Sequence, residues 1–287
     1  MKRTLFMLLA FALLASGCNT VNLAYRNADW YLQHKFGNYA TFDDGQEAAI
    51  RREVRGYVRW HREQALPLYI AFLQHLNGVA QSAGPLDSGE ATQLRGLLQE
   101  QYRMTMQPMI APAASILAGM DGAQRVELER YLAEENRKWR QEMPGAGRDE
   151  YLARRGKRTL SFMHWLAGSL SDEQERKIME LSRSLPVTGE IYLQQRETRQ
   201  RRLVEMLKAD AGEAEIDAFL TAWLYSPEAG YSADQQRVMQ EWEQATDRMI
   251  ADIHALLTER QKEHINDLLS SYIDDMREAN GSVRKKD

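Results

Sequence analysis

Two groups of side chains in this sequence could do chemistry. The first is the run Trp60-His61-Arg62-Glu63-Gln64-Ala65-Leu66-Pro67-Leu68-Tyr69, where an indole, an imidazole and a guanidinium adjoin just ahead of a proline. Arg51, Arg55, Arg59 and Arg62 recur at spacings of four, four and three. On a helix that spacing is one basic stripe, with Ile50, Val54, Tyr57 and His61 on a different face. A guanidinium row suits phosphate-bearing headgroups or acidic chains, because each group presents a planar fork of donors. The same row also reads as a solvated face, with Glu47 and Glu63 each one turn from an arginine. The second group is a single thiol, Cys18, which has no second cysteine to pair with.

Enzyme chemistry is poorly signalled. The six histidines His34, His61, His75, His164, His254 and His264 include no pair four apart and no H-E-x-x-H, so no metal site is expected. His254 and His264 are ten apart, with a helix start expected at Thr258 between them. No phosphate-cradling glycine loop and no G-x-S-x-G elbow occur. His61 and Glu63 cannot act as an acid–base pair on a helix, since residues two apart do not face each other. The expectation is a protein that is not an enzyme, with no catalytic residue, cofactor or metal.

Cys18 sits at a telling place. Lys2 and Arg3 precede the uncharged run Leu5 to Leu14, and the small residues Ala15, Ser16 and Gly17 come directly before the cysteine. This is the charged start, short apolar stretch and small-residue exit of a secretory signal. It is too short for a comfortable membrane span. Ala15-Ser16-Gly17-Cys18 resembles the lipobox of bacterial lipoproteins, with Ala15 standing where leucine is usual. The resemblance implies cleavage of residues 1–17 and a diacylglycerol on the Cys18 thiol. Asn19 in place of aspartate implies export to the outer membrane, facing the periplasm. An ordinary secretory signal with a chance cysteine is the alternative reading. After Leu14 no apolar run approaches the ~20 residues of a spanning helix, so the expected anchor is lipid alone.

Composition fits a folded body, at 44% hydrophobic and 27% charged residues, outside the range of disordered chains. The mild net charge of −4 argues against nucleic acid. Charge is unevenly spread: residues 209–280 hold 16 acidic and five basic side chains, while residues 18–208 hold 24 and 27. Either the two parts offer different partner surfaces, or they pack and neutralise each other.

The elements that must position these groups read as helices throughout. Residues 22–36 form a short helix close behind the anchor. Six starts then share one pattern, an apolar residue, a capping residue and a Gln or Glu three places on: Phe42-Asp43…Gln46, Leu86-Asp87…Glu90, Met120-Asp121…Gln124, Leu170-Ser171…Gln174, Tyr231-Ser232…Gln235 and Leu257-Thr258…Gln261. Each is a capping box, in which side chain and backbone satisfy one another across the first turn. Eight residues after each leading apolar residue stand Ile50, Leu94, Leu128, Ile178, Met239 and Ile265. Val54, Leu97, Leu132, Leu181, Trp242 and Leu268 follow three or four places later, the spacing of a buried stripe. The starts are unevenly spaced, which excludes a strict-period solenoid.

Pro67 is expected to kink or end the helix begun near Asp43, and Pro108 and Pro112 to do the same to the next. No period-two alternation suggests a strand. The expected fold is all-α, a bundle of about eight to ten helices. Its parts are the signal peptide (1–17), an N-terminal helical part (18–143), a linker (144–147), a C-terminal helical part (148–280) packed with the first as one domain, and a flexible tail (281–287). The six tryptophans are expected in the core and between helices.

Taken together, the lipobox, the aromatic helix around Tyr25 and Trp30, the Asp-x-x-Gln start at Gln46, the Trp60-to-Pro67 run and the later Ser/Thr-x-x-Gln starts resemble an uncharacterised family of α-helical bacterial lipoproteins, a domain of unknown function. That likeness covers most of the chain after the signal and brings no known activity. Leu170-Ser171…Gln174 and Leu257-Thr258…Gln261 also resemble the helix starts of the Spy-like periplasmic chaperones, which implies client binding without ATP. The expected function is a protein-interaction or chaperone-like envelope factor, with a membrane contact through lipid on Cys18 and an envelope protein as partner or client. The candidate surface is Arg51, Arg55, Arg59, Trp60, His61, Arg62 and Pro67. A lipid- or amphiphile-binding protein is the alternative.

Overall fold

A computed structural model of the chain describes residues 20–82, 84–142 and 147–281. Cys18, the expected signal peptide and most of the expected linker 144–147 lie outside the described residues. Among the described residues there are α-helices and short helical turns, and no strand. In chain order the helices are α1 (Thr20–Phe36), α2 (Asp44–Trp60), α3 (Leu66–Ala80), α4 (Ser88–Met106), α5 (Ile110–Ala118) and α6 (Gly122–Glu142). They continue with α7 (Arg148–Ala167), α8 (Asp172–Ser184), α9 (Gly189–Lys208), α10 (Glu213–Tyr225), α11 (Ala233–Leu256) and α12 (Glu259–Gly281).

Neither Pro67 nor Pro108 ends its helix. The π turn His61–Ala65 joins α2 to α3, and the 3₁₀ turn Gln107–Met109 joins α4 to α5. Proline lacks the N–H for the usual bond and its ring presses on the carbonyl one turn back. Ahead of Pro67 the chain takes in one extra residue per turn, so that the Leu66 N–H donates to the His61 carbonyl, five residues away. The helix therefore passes through Pro67 instead of ending there. Counted as continuous rods, the described helices number ten.

All six helix starts form the reciprocal capping hydrogen bonds that their sequences call for. The residues eight places after each leading apolar residue are all buried: Ile50, Leu94, Leu128, Ile178, Met239 and Ile265.

The capping glutamines then do something a local motif does not require: they meet in pairs. Gln174 Nε2 donates to Gln261 Oε1 at 2.8 Å, and Gln261 Nε2 returns to Gln174 Oε1 at 3.0 Å. Each amide also reaches the partner's approach, Gln174 to the Leu256 carbonyl and Gln261 to the Ser169 carbonyl, five residues before the partner glutamine in each case. Gln46 and Gln124 repeat the arrangement through the Gly119 and Thr41 carbonyls. These two clasps bind the start of α2 to that of α6 and the start of α8 to that of α12, with all four amides fully engaged. A half copy joins Gln195 of α9 to Gln235 and to the Gly230 carbonyl.

The hydrophobic core draws on both sides of residues 143–146. One cluster places Ala40, Ala114, Met120 and Leu128 against Leu203, Met206, Leu207 and Ile216. Another sets Ala80 among Met163, Ala167, Ile178, Ile253, Ile265 and Leu269. Charge is also matched across the sequence. Arg95 forms a fork with buried Asp247 (2.8 and 2.9 Å) and reaches Glu243, and Arg125 pairs with Asp210. Burial alone would push the Asp247 carboxyl up, but the hydrogen bonds from Arg95 and Thr92 outweigh it and hold the group below its usual range. Part of the acidic excess of residues 209–280 is thus neutralised internally.

Two residues depart from the expected core. Leu97 is exposed, because Thr92 and Arg95 of α4 are drawn onto Asp247 of α11, which turns the far side of α4 outward. Trp30 is 68% exposed and stacks on His34 one turn along α1.

Candidate functional site

The basic stripe lies on α2. Ile50, Val54 and Val58 fix the helix by their burial against Tyr25, Ala28, Leu32 and Phe36 of α1. On the opposite side Arg55 and Arg59 are exposed, and among the described residues neither has an acidic partner. Arg51 pairs with Glu47 at 3.0 Å. It also lines a half-open cavity of about 330 Å³ between the end of α1 and the start of α2, with Gln33, Phe42, Glu47 and Ile50. Pro67 is exposed at the start of α3, while Trp60 is half-buried and stacked on Tyr57.

Arg62 does not share the surface of Arg55 and Arg59. Its guanidinium carbon lies 4.9 Å from the centre of the Tyr25 ring, a cation–π contact with α1. Its Nε is buried with no hydrogen-bond partner among the described residues. The π turn starts only at His61; what sets Arg62 apart is the Tyr25 ring that its side chain covers.

His61 belongs to a polar centre, not to a surface. The rings of Tyr25, Tyr57, Trp60 and Tyr69 surround it, with centroids 5.4–6.3 Å away. Its Nδ1 meets the Tyr25 hydroxyl at 2.6 Å, and its Nε2 meets the Tyr69 hydroxyl at 3.3 Å. Tyr69 bonds in turn to the Thr105 hydroxyl, which donates to the Gln101 carbonyl at 2.7 Å. Tyr57 donates to the Thr105 carbonyl.

These bonds have one consistent direction. A carbonyl can only accept, so Thr105 gives its proton to Gln101 and must accept from Tyr69. Tyr69 has then used its own proton and accepts from the ring, which puts the imidazole hydrogen on Nε2. Nδ1 is left to accept from Tyr25. The chain runs Tyr25 → His61 → Tyr69 → Thr105 → Gln101 carbonyl, and links α1, the π turn, α3 and α4.

Burial lowers the His61 pKa from 6.5 to about 4. Burial also raises the hydroxyl pKa values of Tyr25, Tyr57 and Tyr69 above the ordinary tyrosine value. At neutral pH the centre is an uncharged network in which both imidazole nitrogens are occupied. It offers no free base, and its last acceptor is a backbone carbonyl that cannot pass a proton on. The chain ties α1 to the π turn, α3 and α4.

Sequence reading placed His61 and Tyr57 on one face but missed Tyr69 and Thr105. At 3.6 residues per turn an uninterrupted helix would set position 69 about 80° away from position 61. The wider π turn takes up one residue and brings Tyr69 back toward the ring. A proline following a Trp-His pair was the available sign that the period changes there.

No group of three or more His, Cys, Asp or Glu side chains suited to a metal occurs among the described residues, and no described helix is long and apolar enough to cross a membrane. No curated protein and no solved structure matches the chain. One family model matches the chain, over residues 38–237. On that match the chain belongs to the family of unknown function DUF6279.

Proposed function

We propose that this protein is a lipoprotein of the bacterial envelope, tied to the outer membrane through Cys18, whose helical body works by binding other proteins and not by catalysis. The observation that carries the interaction role is the pair Arg55 and Arg59. They are exposed, one turn apart, without acidic partners among the described residues, and mounted on a helix whose other side is locked into the core. Isolated guanidiniums on a rigid support favour an acidic protein surface, because the backbone is already ordered and the planar fork of Arg loses less freedom for each hydrogen bond it forms. The anchoring rests on the sequence before Thr20.

A chaperone-like or assembly role is the most concrete form of this reading. The Leu-Ser/Thr-x-x-Gln starts that carry the likeness to Spy-like chaperones hold helices together here, so the client surface is assigned to α2. Photo-crosslinking from position 59 in intact cells, read by mass spectrometry, tests the role. One dominant acidic partner marks an assembly factor, and many unrelated envelope proteins mark a chaperone. Either pattern should vanish in a folded variant carrying Arg55→Glu and Arg59→Glu. Unchanged capture by that variant overturns the assignment.

A second reading is favoured by the cavity beside Arg51. About 330 Å³ is at the small end of ligand sites and suits an anionic head more than an acyl chain. Native mass spectrometry of delipidated Cys18→Ser protein would reveal such a ligand, and an Arg51→Ala variant should release it.

A further inference from the structure

α1 carries large apolar side chains on both its inner and its outer side. Val21, Tyr25, Ala28, Leu32 and Phe36 follow each other at three- and four-residue steps and pack on α2, α3 and α12. At 100° per residue the positions 23, 26, 27, 30 and 34 fall on the opposite side. All five are exposed, Leu23 at 58% and Trp30 at 68%. A helix on the outside of a bundle ordinarily turns polar residues to water. Here the outward face presents a leucine and a tryptophan one helical repeat apart, with Arg26, Asn27 and His34 around them.

Chain length says what can cover that face. Only Asn19 separates Cys18 from the first residue of α1, so Cys18 is within about 7 Å of Thr20. If α1 stood upright on a membrane that holds Cys18, Trp30 would be roughly 15 Å further from the surface than Thr20. If α1 lies flat, Leu23 and Trp30 both reach the headgroup zone, where an amphipathic indole is most at home. The flat arrangement removes both exposed side chains from water, and the His61 centre gives it leverage, since Tyr25 on the inner face ties α1 to three other segments.

We infer that α1 lies along the membrane surface, with Leu23 and Trp30 in the interface, and so sets the attitude of the whole body. The inference rests on the anchoring proposed above. In that attitude α2, packed on the inner face of α1, is held on the body away from the lipid, and its arginine pair is left to partners. A lipid interface is preferred over a second copy of the chain because the anchor brings α1 to the bilayer before any encounter can occur.

The test separates the two ideas. Cys18 is the only cysteine, so the folded chain from Cys18 onward can be tied through its thiol to a maleimide-headgroup lipid, whatever the cell does to it. The vesicles contain phosphatidylethanolamine and phosphatidylglycerol, with or without brominated acyl chains. The expected result is bromine quenching that falls sharply in Trp30→Phe and in Leu23→Asp, with the emission of the Trp30 contribution shifted to the blue. Circular dichroism confirms that both variants are folded. Trp30 emission that is as red and as unquenched on the vesicle as in solution overturns the inference. So does a Trp30-dependent dimer in sedimentation without vesicles. The absence of a diacylglycerol mass on Cys18 in cell-derived protein would defeat the anchoring reading alone.

Discussion

The glutamine clasps and the His61 centre solve one problem, how to bury polar groups between helices, in opposite ways. In the clasps each Gln takes the same place in the same local motif and meets an equivalent Gln, so four hydrogen bonds close on themselves. Around His61 nothing repeats. Two tyrosines, a histidine and a threonine from four segments make a one-way chain, and one turn of the helix is widened to admit it. Closed symmetric pairs suit a frame, because they need only the regular helix start. The irregular centre lies where α1 is fastened, beside the Arg62 Nε, which has no hydrogen-bond partner among the described residues, and the same α1 carries the exposed Trp30 on its outer side. Departures from local regularity tend to mark the places where a fold meets its task, and here they cluster on α1 and α2.

If that contrast is right, breaking a clasp should cost the most. Gln174 accepts from the Ser171 N–H and from Gln261, and donates to Gln261 and to the Leu256 carbonyl. Gln174→Ala takes the Gln174 partner from the Ser171 N–H and the Leu256 carbonyl and one of two hydrogen bonds from each polar atom of the Gln261 amide. At ~1 kcal/mol or more for each segment affected, a total near 3 kcal/mol is expected. Chemical denaturation checks this value. The double variant with Gln261→Ala should cost less than the sum, since the two bonds between the glutamines are lost only once. Gln195→Ala, in the half copy, should cost about half as much. Equal costs for the full and the half clasp would dissolve the distinction.

Acid should act on the other side of the comparison. Folding holds the His61 pKa at about 4, against an ordinary value of 6.5. Below pH 6.5 the unfolded chain therefore binds the proton first, and stability drains away as pH falls toward about 4. The depression amounts to about 3 kcal/mol. Burial is the cause of the shift; Arg62 on the next residue faces the Tyr25 ring, and the groups around the imidazole are the neutral hydroxyls of Tyr25, Tyr57 and Tyr69 and the Trp60 ring. Calorimetry between about pH 7 and about pH 4 should show His61→Phe less stable than wild type at neutral pH, with a shallower loss in acid. Hydrogen exchange should locate the first opening in α1. Parallel acid slopes in the two proteins would remove His61 from the account.

How much of this the sequence could say depends on the range of the interaction. Asp43, Ser171 and Thr258 announce helix starts because a capping box spans four residues and is read entirely from its own segment. Which box would meet which is decided by packing, so the Gln46–Gln124 and Gln174–Gln261 pairs had no local sign. Arg51, Arg55 and Arg59 kept the spacing of a regular helix and were found where that spacing places them. Tyr69 was missed because the period beyond His61 is not that of a regular helix, and Arg62 was misjudged because its side chain turns to Tyr25 of another helix. Thr105 joins the centre from another helix, and Trp30 faces outward although its residue type favours burial. Neither fact lies in the pattern of its own segment.

The smallest effect expected is also the sharpest, because it concerns a single proton. The direction of the His61 chain is set at its far end by the Thr105 hydroxyl, which must spend its hydrogen on the Gln101 carbonyl. In wild type the ring should therefore carry its hydrogen on Nε2, readable from its nitrogen chemical shifts. Thr105→Val removes that acceptor for Tyr69 at a cost of about 1 kcal/mol. Tyr69 can then turn its hydroxyl toward Nε2, and the ring hydrogen moves to Nδ1 to serve the Tyr25 oxygen. The whole chain reverses without losing the bonds to His61, so α1 stays fastened and only the tautomer reports the change. A wild-type ring protonated on Nδ1 would show that the order is imposed from the α1 end by Tyr25, and would move control of the centre from the core to the helix facing outward.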